Sequence, residues 1–294
     1  MTLERVVAPT GPFSLALSAR HAGDATRRFR DGTLTAALRM GDRVEVGTAR
    51  QVVDGRVVLQ AESEEGIDRL RFLLALDADH TDFLRRFARD PLIGTTTVRF
   101  QGLRQVRLAT VAHTLLRAFC GQLIDSRRSK EIEWAVVRAA EPRIGGLTLH
   151  APPTCASLGR FAPARLRQLG LHARRAAALV RICRSVDLER LHELPTAKVT
   201  DFIERERGLG PWSAGVVCLE GLGRHERGLV GDLALIKLMS RLRGRWVEAG
   251  ETAELLAPYG DWAGLASRYL ILGFSQGLIP LPTDRPVRFR AAFA

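Results

Sequence analysis

Lysine is scarce in this sequence, because only three of its 44 basic residues are Lys and all the others are Arg. No apolar run approaches the roughly 18 residues that a membrane-spanning helix needs, which argues against an integral membrane protein. The start of the chain lacks a basic segment followed by an apolar core. We therefore expect no signal peptide and a cytoplasmic, bacterial-type location.

The cysteines and histidines lack the spacing of metal-binding motifs. The four cysteines form no CxxC pair, and the seven histidines form no HxxxH or HExxH pattern. These absences argue against a zinc ribbon, a compact iron–sulfur loop and a catalytic metal site recognisable from the sequence. Three cysteines lie among apolar residues, which predicts buried, reduced thiols: Cys120, Cys183 and Cys218.

Positive charge is in excess, with a formal net charge of +12. A genome rich in G and C explains Arg in place of Lys, but it does not explain more bases than acids. The excess predicts a polyanionic partner, most simply nucleic acid. A membrane surface is the competing interpretation, although neither end of the chain shows a basic amphipathic helix.

Two types of hydrophobic pattern divide the chain. The first hundred residues show period-2 alternation, with a hairpin predicted at Asp54-Gly55 and a further strand predicted over residues 13–19. From Thr110 onward the apolar residues follow a helical period. The sequence predicts an α+β protein, with a β-rich antiparallel N-terminal domain (1–100) followed by an all-helical domain (101–294).

The segment Gly208-Leu209-Gly210 precedes a helix start at Pro211-Trp212-Ser213. Proline is favoured in the first turn of a helix, because its missing N–H is not needed there. Two glycines around one apolar residue predict a hairpin with exposed backbone amides, and these amides with the helix N-terminus suit a phosphate. The alternative is an ordinary helix end followed by a helix start.

Asp232 stands immediately before an apolar helical segment, about 20 residues after the predicted hairpin. An aspartate at this position caps the helix, which is a complete structural explanation by itself. A second use is also open, because a carboxylate at this distance from a phosphate-binding hairpin can lie beside a bound nucleotide.

The two segments together resemble the signature of the helix–hairpin–helix base-excision DNA glycosylases. GLGPWSA is followed by GDLALIKLMSRL, and the family pattern after the hairpin matches without a gap at Asp232, Leu235, Lys237 and Arg241. The resemblance is greatest to the bacterial 3-methyladenine DNA glycosylase II branch. It is strong over residues 204–242, moderate over 105–200 and weak before residue 100.

The resemblance implies roles for two residues of this signature. Asp232 is the expected catalytic carboxylate, which stabilises positive charge on the sugar of a flipped nucleotide. Trp212 stands where bifunctional relatives carry a Lys that forms a Schiff base with the sugar. Because an indole has no amine, the resemblance implies a hydrolase of N-glycosyl bonds without lyase activity.

The resemblance also implies contacts with DNA. Leu123 is the expected wedge that fills the space left by the flipped base, and its neighbour Gln122 is expected to face the orphaned strand; ordinary core packing of Leu123 is the alternative. Trp212, Trp262 and Tyr259 are candidates to line the base pocket, with core packing again open for Trp262 and Tyr259. The hairpin is expected to contact DNA through Gly208, Gly210, Trp212 and Ser213.

A structural monovalent cation, Na⁺ or K⁺, is the one inorganic group that the resemblance implies. Its ligands are expected to be the backbone carbonyls of Glu204, Glu206 and Leu209. No cofactor is expected for catalysis, and no iron–sulfur cluster is expected, since the cluster cysteines of other branches are absent.

The functional prediction is a monofunctional DNA glycosylase that excises damaged, alkylated purines from double-stranded DNA and leaves an abasic site. A monomer without membrane association is expected. A cationic purine leaves readily, so one aspartate and a stacking pocket are sufficient. The alternatives are a glycosylase for oxidised or bulky purine lesions and a non-catalytic helix–hairpin–helix DNA-binding protein.

Overall fold

A computed structural model describes residues 2–122, 126–144 and 146–282. Five antiparallel strands form one sheet in the order β1-β5-β4-β3-β2. This agrees with the predicted α+β class and with a β-rich first part of the chain. The strands are β1 (Leu3–Val7), β2 (Arg27–Arg30), β3 (Thr33–Met40), β4 (Arg43–Gln51) and β5 (Val57–Ala61).

Helices account for most of the remaining described residues. They are α1 (Leu15–Ala19), α2 (Glu64–Leu73), α3 (Thr81–Arg86), α4 (Gly94–Arg99), α5 (Val111–Gly121), α6 (Ser126–Ala140), α7 (Cys155–Gly159), α8 (Pro163–Gln168), α9 (Ala173–Ser185), α10 (Thr196–Arg205), α11 (Pro211–Val216), α12 (Leu233–Arg243), α13 (Thr252–Leu256) and α14 (Ala263–Ser275). A π-helical turn, Val217–Leu222, continues α11. In the described part of the chain, no helix has both the length and the apolar character needed to cross a membrane.

The hairpin predicted at Asp54-Gly55 joins β4 to β5. Gly55 has a φ of +86°, which is unfavourable for a residue with a β-carbon, and its N–H donates to the carbonyl of Val52 at 3.0 Å. On β3, alternate side chains are buried, including Leu34, Ala36 and Leu38. The period-2 pattern therefore identified both the strand and its core face.

The strand predicted over residues 13–19 is wrong, because this segment forms helix α1. Ser14 caps the helix, with its Oγ accepting from the N–H of Leu17 at 3.3 Å. A side-chain cap satisfies backbone donors that a strand would have to pair with a neighbour. Leu15 and Ala19 then pack beneath the sheet.

The hydrophobic core crosses the predicted domain boundary at residue 100. Phe83, Phe87 and Ile93 come from the first hundred residues, yet they pack in a cluster with α12 and α14. A second helical cluster surrounds α5 and α9, and a third lies beneath the sheet. The sheet is therefore joined to the helical region through shared apolar contacts as well as by the chain.

A buried cluster of charged side chains also joins the two regions. The guanidinium of Arg117 contacts Asp24 and Glu133 at 2.8 Å each and Glu220 at 2.9 Å, while Nε2 of His113 lies 2.9 Å from Glu133. Burial by itself raises the pKa of Glu133, but Arg117 and His113 overcome that effect and hold the pKa below its ordinary value. Ion pairs thus replace the water that these groups lose on burial.

Candidate active site and nucleic-acid interface

The residues between α10 and α11 form the tight turn that the glycine spacing predicted. The N–H of Leu209 donates to the carbonyl of Glu206 at 2.9 Å, and Gly208 has a φ of +91°. Leu209 is buried, whereas Gly208 is exposed and Gly210 is half-exposed. No heavy atom of the described structure lies within 4 Å of a β-carbon placed at either glycine, so the backbone here is open to a ligand.

Helix α11 starts directly after this turn, with Pro211 in its first turn. Ser213 is buried, and its Oγ accepts from Nε2 of Gln122 at 3.0 Å. The same Nε2 donates to the carbonyl of Gly208 at 2.7 Å. Gln122 therefore connects the end of α5 to both sides of the hairpin.

The contact with the hairpin is an addition to the expected role of Gln122, and the expectation that this residue faces an orphaned DNA strand stays a prediction. Its amide nitrogen is directed to the hairpin, where two acceptors hold it. The sequence offered no signal for this pairing, because Gln122 and Gly208 are 86 residues apart. Leu123, the predicted wedge, lies outside the described residues.

Asp232 caps helix α12, as the sequence predicted. Its Oδ1 accepts from the N–H of Ala234 at 2.8 Å. The preceding residue, Gly231, has a φ of +86° and donates its N–H to Oγ1 of the buried Thr252 at 2.7 Å. The backbone before the helix is thus fixed, which fixes the direction of the carboxylate.

The second oxygen of Asp232 meets the tryptophan of the hairpin. Nε1 of Trp212 donates to Oδ2 of Asp232 at 3.0 Å, which joins the start of α11 to the start of α12. Each carboxylate oxygen accepts one such bond and keeps lone-pair capacity for another partner. Asp232 is half-buried, and the adjacent Leu233 is 42% exposed, so solvent or a ligand reaches this carboxylate.

The C-terminal end of α5 also packs against Trp212, next to Asp232. A β-carbon placed at Gly121 would lie 2.6 Å from Cη2 of Trp212, so glycine is required for the indole to lie against the helix end. The structure therefore brings Gly121, Gln122, Ser213, Trp212 and Asp232 together. Of these residues, only Gly121 had no candidate role in the sequence analysis.

The other two pocket candidates lie elsewhere in the core. Tyr259 is 2% exposed, contacts Phe87 at a ring distance of 5.1 Å, and donates its hydroxyl to Asp90 at 3.2 Å. Burial raises the pKa of Tyr259 well above its ordinary value. This corrects the prediction that Tyr259 stacks on a base, because its ring faces are covered by protein.

Trp262 is half-buried between the N-terminal region and the segment before Asp232. Its ring stacks on His225 at 6.0 Å and contacts Phe83 at 5.8 Å and His80 at 6.5 Å. These contacts indicate packing against the core, the alternative that the sequence left open, but Trp262 stays half-exposed, so its role in stacking on a base stays a prediction. Burial lowers the pKa of His225 to about 4 and that of His80 to about 3, so both imidazoles are neutral at pH 7.

The predicted cation ligands lie at the C-terminal end of α10 and in the turn. The carbonyl of Glu206 accepts from Leu209 and keeps one lone pair for another partner. The side chains of Glu204 and Glu206 are engaged with Arg227 and Arg181, respectively. Nothing in these contacts conflicts with a cation at the carbonyls, and the site stays a prediction.

One group of metal-ligand type was not predicted from the sequence. The donor atoms of Asp24, His113 and Glu133 lie within 4.8 Å of one another. Arg117 contacts both carboxylates, so a guanidinium already supplies the positive charge that a metal ion would bring. These residues come from three distant segments, and no local motif marks them.

Two relatives of this chain are named as a DNA glycosylase and a DNA repair enzyme. No protein-family model matches the chain. The DNA-3-methyladenine glycosylase of Bacillus subtilis is 22% identical over 276 residues, which are 87% of this chain and 91% of that protein. A probable bifunctional transcriptional activator/DNA repair enzyme AlkA of Mycobacterium tuberculosis is 25% identical over 206 residues, 69% of this chain and 41% of that protein.

Solved structures agree in fold. The 3-methyladenine DNA glycosylase from Archaeoglobus fulgidus has a TM-score of 0.81 at 19% identity, covering 92% of this chain and 98% of that one. The chain has the helix–hairpin–helix DNA glycosylase fold. The 8-oxoguanine glycosylase/lyase of Clostridium acetobutylicum, solved with double-stranded DNA, shares this fold with a TM-score of 0.76 at 18% identity, covering 94% of this chain and 98% of that one. The resemblance and the α+β architecture predicted from the sequence are confirmed.

Proposed function

We propose that this protein is a monofunctional DNA glycosylase that excises alkylated purines from double-stranded DNA and leaves an abasic site. The observation that carries the proposal is the half-buried carboxylate of Asp232, held by the Trp212 indole and the Ala234 amide beside an open glycine hairpin. The Bacillus subtilis and Archaeoglobus fulgidus relatives, both named 3-methyladenine DNA glycosylases, support this substrate class.

Two features of the protein bind the DNA duplex: its net positive charge and the backbone amides of the hairpin. The net charge of +12 attracts the duplex from a distance and makes binding sensitive to salt. The exposed amides around Gly208 and Gly210 then hold a phosphate without reading sequence. Because Gln122 binds the carbonyl of Gly208 and the hydroxyl of Ser213, it is a positioning residue that keeps the hairpin in register with the end of α5.

Asp232 performs the chemical step. As the bond between the sugar and the purine breaks, positive charge develops on the sugar, and a fixed carboxylate stabilises it. The same carboxylate orients the water that attacks the sugar. The indole and the backbone amide hold both oxygens in place before the reaction, so little reorganisation is needed when the charge appears.

The absence of an amine at Trp212 gives the proposed reaction its hydrolytic outcome. An indole nitrogen carries no nucleophilic lone pair, so it forms no Schiff base with the sugar. Trp212 instead uses its N–H to position Asp232. The proposal includes a Leu123 wedge, a monovalent cation at the carbonyls of Glu204, Glu206 and Leu209, a monomeric state and a cytoplasmic location.

A panel of duplexes, each with one lesion, tests this function. The lesions are 3-methyladenine, 7-methylguanine, hypoxanthine, ethenoadenine and 8-oxoguanine, and strand cleavage is measured with and without alkali. Cleavage of the alkylated duplexes only after alkali is the expected result. Cleavage without alkali, with a product trapped by borohydride, would contradict the hydrolytic reaction.

The same panel decides between the alternatives. The fold similarity to an 8-oxoguanine glycosylase/lyase favours oxidised purines as the second candidate substrate class. Excision of 8-oxoguanine in preference to the alkylated bases would support that candidate. Tight binding without excision of any base would indicate a non-catalytic DNA-binding protein.

A further inference from the structure

A tight turn leads the chain into Asp232. The N–H of Asp232 donates to the carbonyl of Leu229 at 3.0 Å, which closes a four-residue turn over residues 229–232. Gly231, the third residue of this turn, has a φ of +86°, and a positive φ at the third position is the mark of a type II turn. The closing hydrogen bond uses neither the N–H of Leu229 nor that of Gly231, so both donors need partners elsewhere.

Two buried hydroxyls from the C-terminal helices supply these partners. Oγ1 of Thr252, the first residue of α13, accepts from the N–H of Gly231 at 2.7 Å. Oγ of Ser267, in α14, accepts from the N–H of Leu229 at 3.0 Å. Both Thr252 and Ser267 are 0% exposed, so solvent does not reach either side chain and water does not replace either hydrogen bond.

Each of the two hydroxyls donates its hydrogen within its own part of the chain. Oγ1 of Thr252 donates to the carbonyl of Ala249 at 2.7 Å, and Oγ of Ser267 donates to the carbonyl of Ala263 at 2.7 Å. A hydroxyl has one hydrogen to donate, so each oxygen can only accept from the turn, which is the role that the turn needs. Helices α13 and α14 thus hold the turn one residue and three residues before Asp232.

The segment before Asp232 also packs closely against helix α11. A β-carbon placed at Gly215 of this helix would lie 2.5 Å from the carbonyl oxygen of Gly228, so the two backbones are in direct contact. Helix α11 also carries Trp212, whose indole donates to Oδ2 of Asp232. The chain before Asp232 is therefore packed on the helix that carries Trp212 and bonded to α13 and α14.

We propose that Thr252 and Ser267 are positioning residues for Asp232, a role that rests on the proposed function of this carboxylate in base excision. Both hydroxyls act through the backbone: they fix the turn, and the turn sets where the carboxylate meets the Trp212 indole and the sugar of a flipped nucleotide. A displacement of a reacting group by about 1 Å costs about 10²-fold in rate, so a loosened turn has a large kinetic consequence.

The same substitution at two buried serines tests the proposal. Ser240 is also 0% exposed, and its Oγ accepts from the N–H of Val247 at 3.1 Å, but this hydrogen bond joins the C-terminal half of α12 to the chain that follows it. In single-turnover excision from an alkylated duplex at saturating enzyme, Ser267→Ala should be at least about tenfold slower than the wild type. Ser240→Ala, the matched control, should keep the wild-type rate. Duplex affinity should be unchanged in both variants, because the hairpin amides are unchanged.

Two substitutions at Thr252 separate the hydroxyl from the shape of the side chain. Thr252→Val keeps the shape without the hydroxyl and should slow excision as Ser267→Ala does, whereas Thr252→Ser keeps the hydroxyl and should restore most of the rate. Wild-type rates in both Thr252→Val and Ser267→Ala would overturn the proposal. Equal losses in Ser267→Ala and Ser240→Ala would also overturn it, since a general loss of stability would then explain both.

The indole N–H signal of Trp212 in an NMR spectrum reports the position of Asp232 without catalysis, because this N–H donates to the carboxylate. Its absence from the spectrum of Trp212→Phe identifies the signal, and the other signals show whether each variant is folded. The signal should shift in Ser267→Ala and Thr252→Val and stay in place in Ser240→Ala. A wild type that excises no base would contradict the proposed function, whereas an unshifted Trp212 signal in both variants would overturn the positioning role.

Discussion

Two groups of polar side chains in this protein differ in how completely their partners satisfy them. Around Arg117, two carboxylates that are at most 6% exposed are paired with the guanidinium. Around Asp232, the carboxylate is half-buried and accepts one hydrogen bond at each oxygen. The two carboxylates of the first group are closed to solvent, and their ion pairs stabilise the fold. The second keeps both access and hydrogen-bonding capacity, which a reacting group needs.

Removal of the central cation gives the largest expected effect and affects stability. Arg117→Met leaves the buried Glu133 without its guanidinium partner and leaves Asp24 with Arg27 alone, so we expect a loss of about 3–5 kcal/mol in the free energy of unfolding. Urea unfolding measures it. Arg85→Met is the matched control, because Arg85 pairs with Asp82 at the surface, and it should cost less than about 1 kcal/mol.

The same variant has a pH signature. A carboxyl whose pKa is lowered in the folded state contributes stability that is present above its ordinary pKa and is lost as the pH falls through the folded value. For Glu133 the ordinary value is 4.5. The wild type should therefore lose this contribution below about pH 4.5, and Arg117→Met should lose less over that range. Equal pH dependence in both proteins would contradict the role of the ion pairs.

Neutralising Asp232, the half-buried carboxylate, should affect catalysis and not stability. We expect Asp232→Asn to lower single-turnover excision by at least about 10²- to 10³-fold, because the developing positive charge loses its fixed counter-charge. Duplex binding and Tm should change little, since the amide oxygen still accepts one hydrogen bond. Excision at the wild-type rate would remove Asp232 from the proposed mechanism.

The two hairpin glycines differ in backbone conformation but have equally open surroundings, so alanine substitutions at them test the effect of conformation alone. Gly208 has a φ of +91°, whereas Gly210 has a φ of −147°, and the space beside both is open. Gly208→Ala should cost about 1–2 kcal/mol of stability through backbone strain and should weaken duplex binding. Gly210→Ala is the matched control for stability and should unfold at nearly the same urea concentration as the wild type. Equal stability of both variants would argue against a strained turn.

The smallest expected effect concerns the connection between α5 and the hairpin. Gln122→Met removes two hydrogen bonds and keeps the size of the side chain, at a cost of about 1 kcal/mol in stability. We expect excision to slow by up to about tenfold at saturating enzyme, with duplex affinity nearly unchanged. Gln168→Met, at an exposed pair with Arg165, is the control. A change confined to Tm would show that Gln122 has only a structural role.

Local patterns predicted what depends on neighbours in sequence. The turn at Gly55, the helix cap at Asp232 and the start of α11 at Pro211 each follow from the backbone preferences of a few adjacent residues. The failure at residues 13–19 has the same origin, because the cap at Ser14 competed with an apolar pattern that suits either a strand or a helix. The confirmed fold and the position of Asp232 were therefore accessible from the sequence.

What only the tertiary structure decided is which side chains meet across distant segments. The sequence proposed Tyr259 as a stacking surface, but the structure buries its ring against Phe87. The hydrogen bonds from Gln122 to Gly208 and from Trp212 to Asp232 each join separate elements. One sequence specifies residue types and local conformation, whereas burial and long-range partners depend on how the helices pack, and that packing depends on the whole chain.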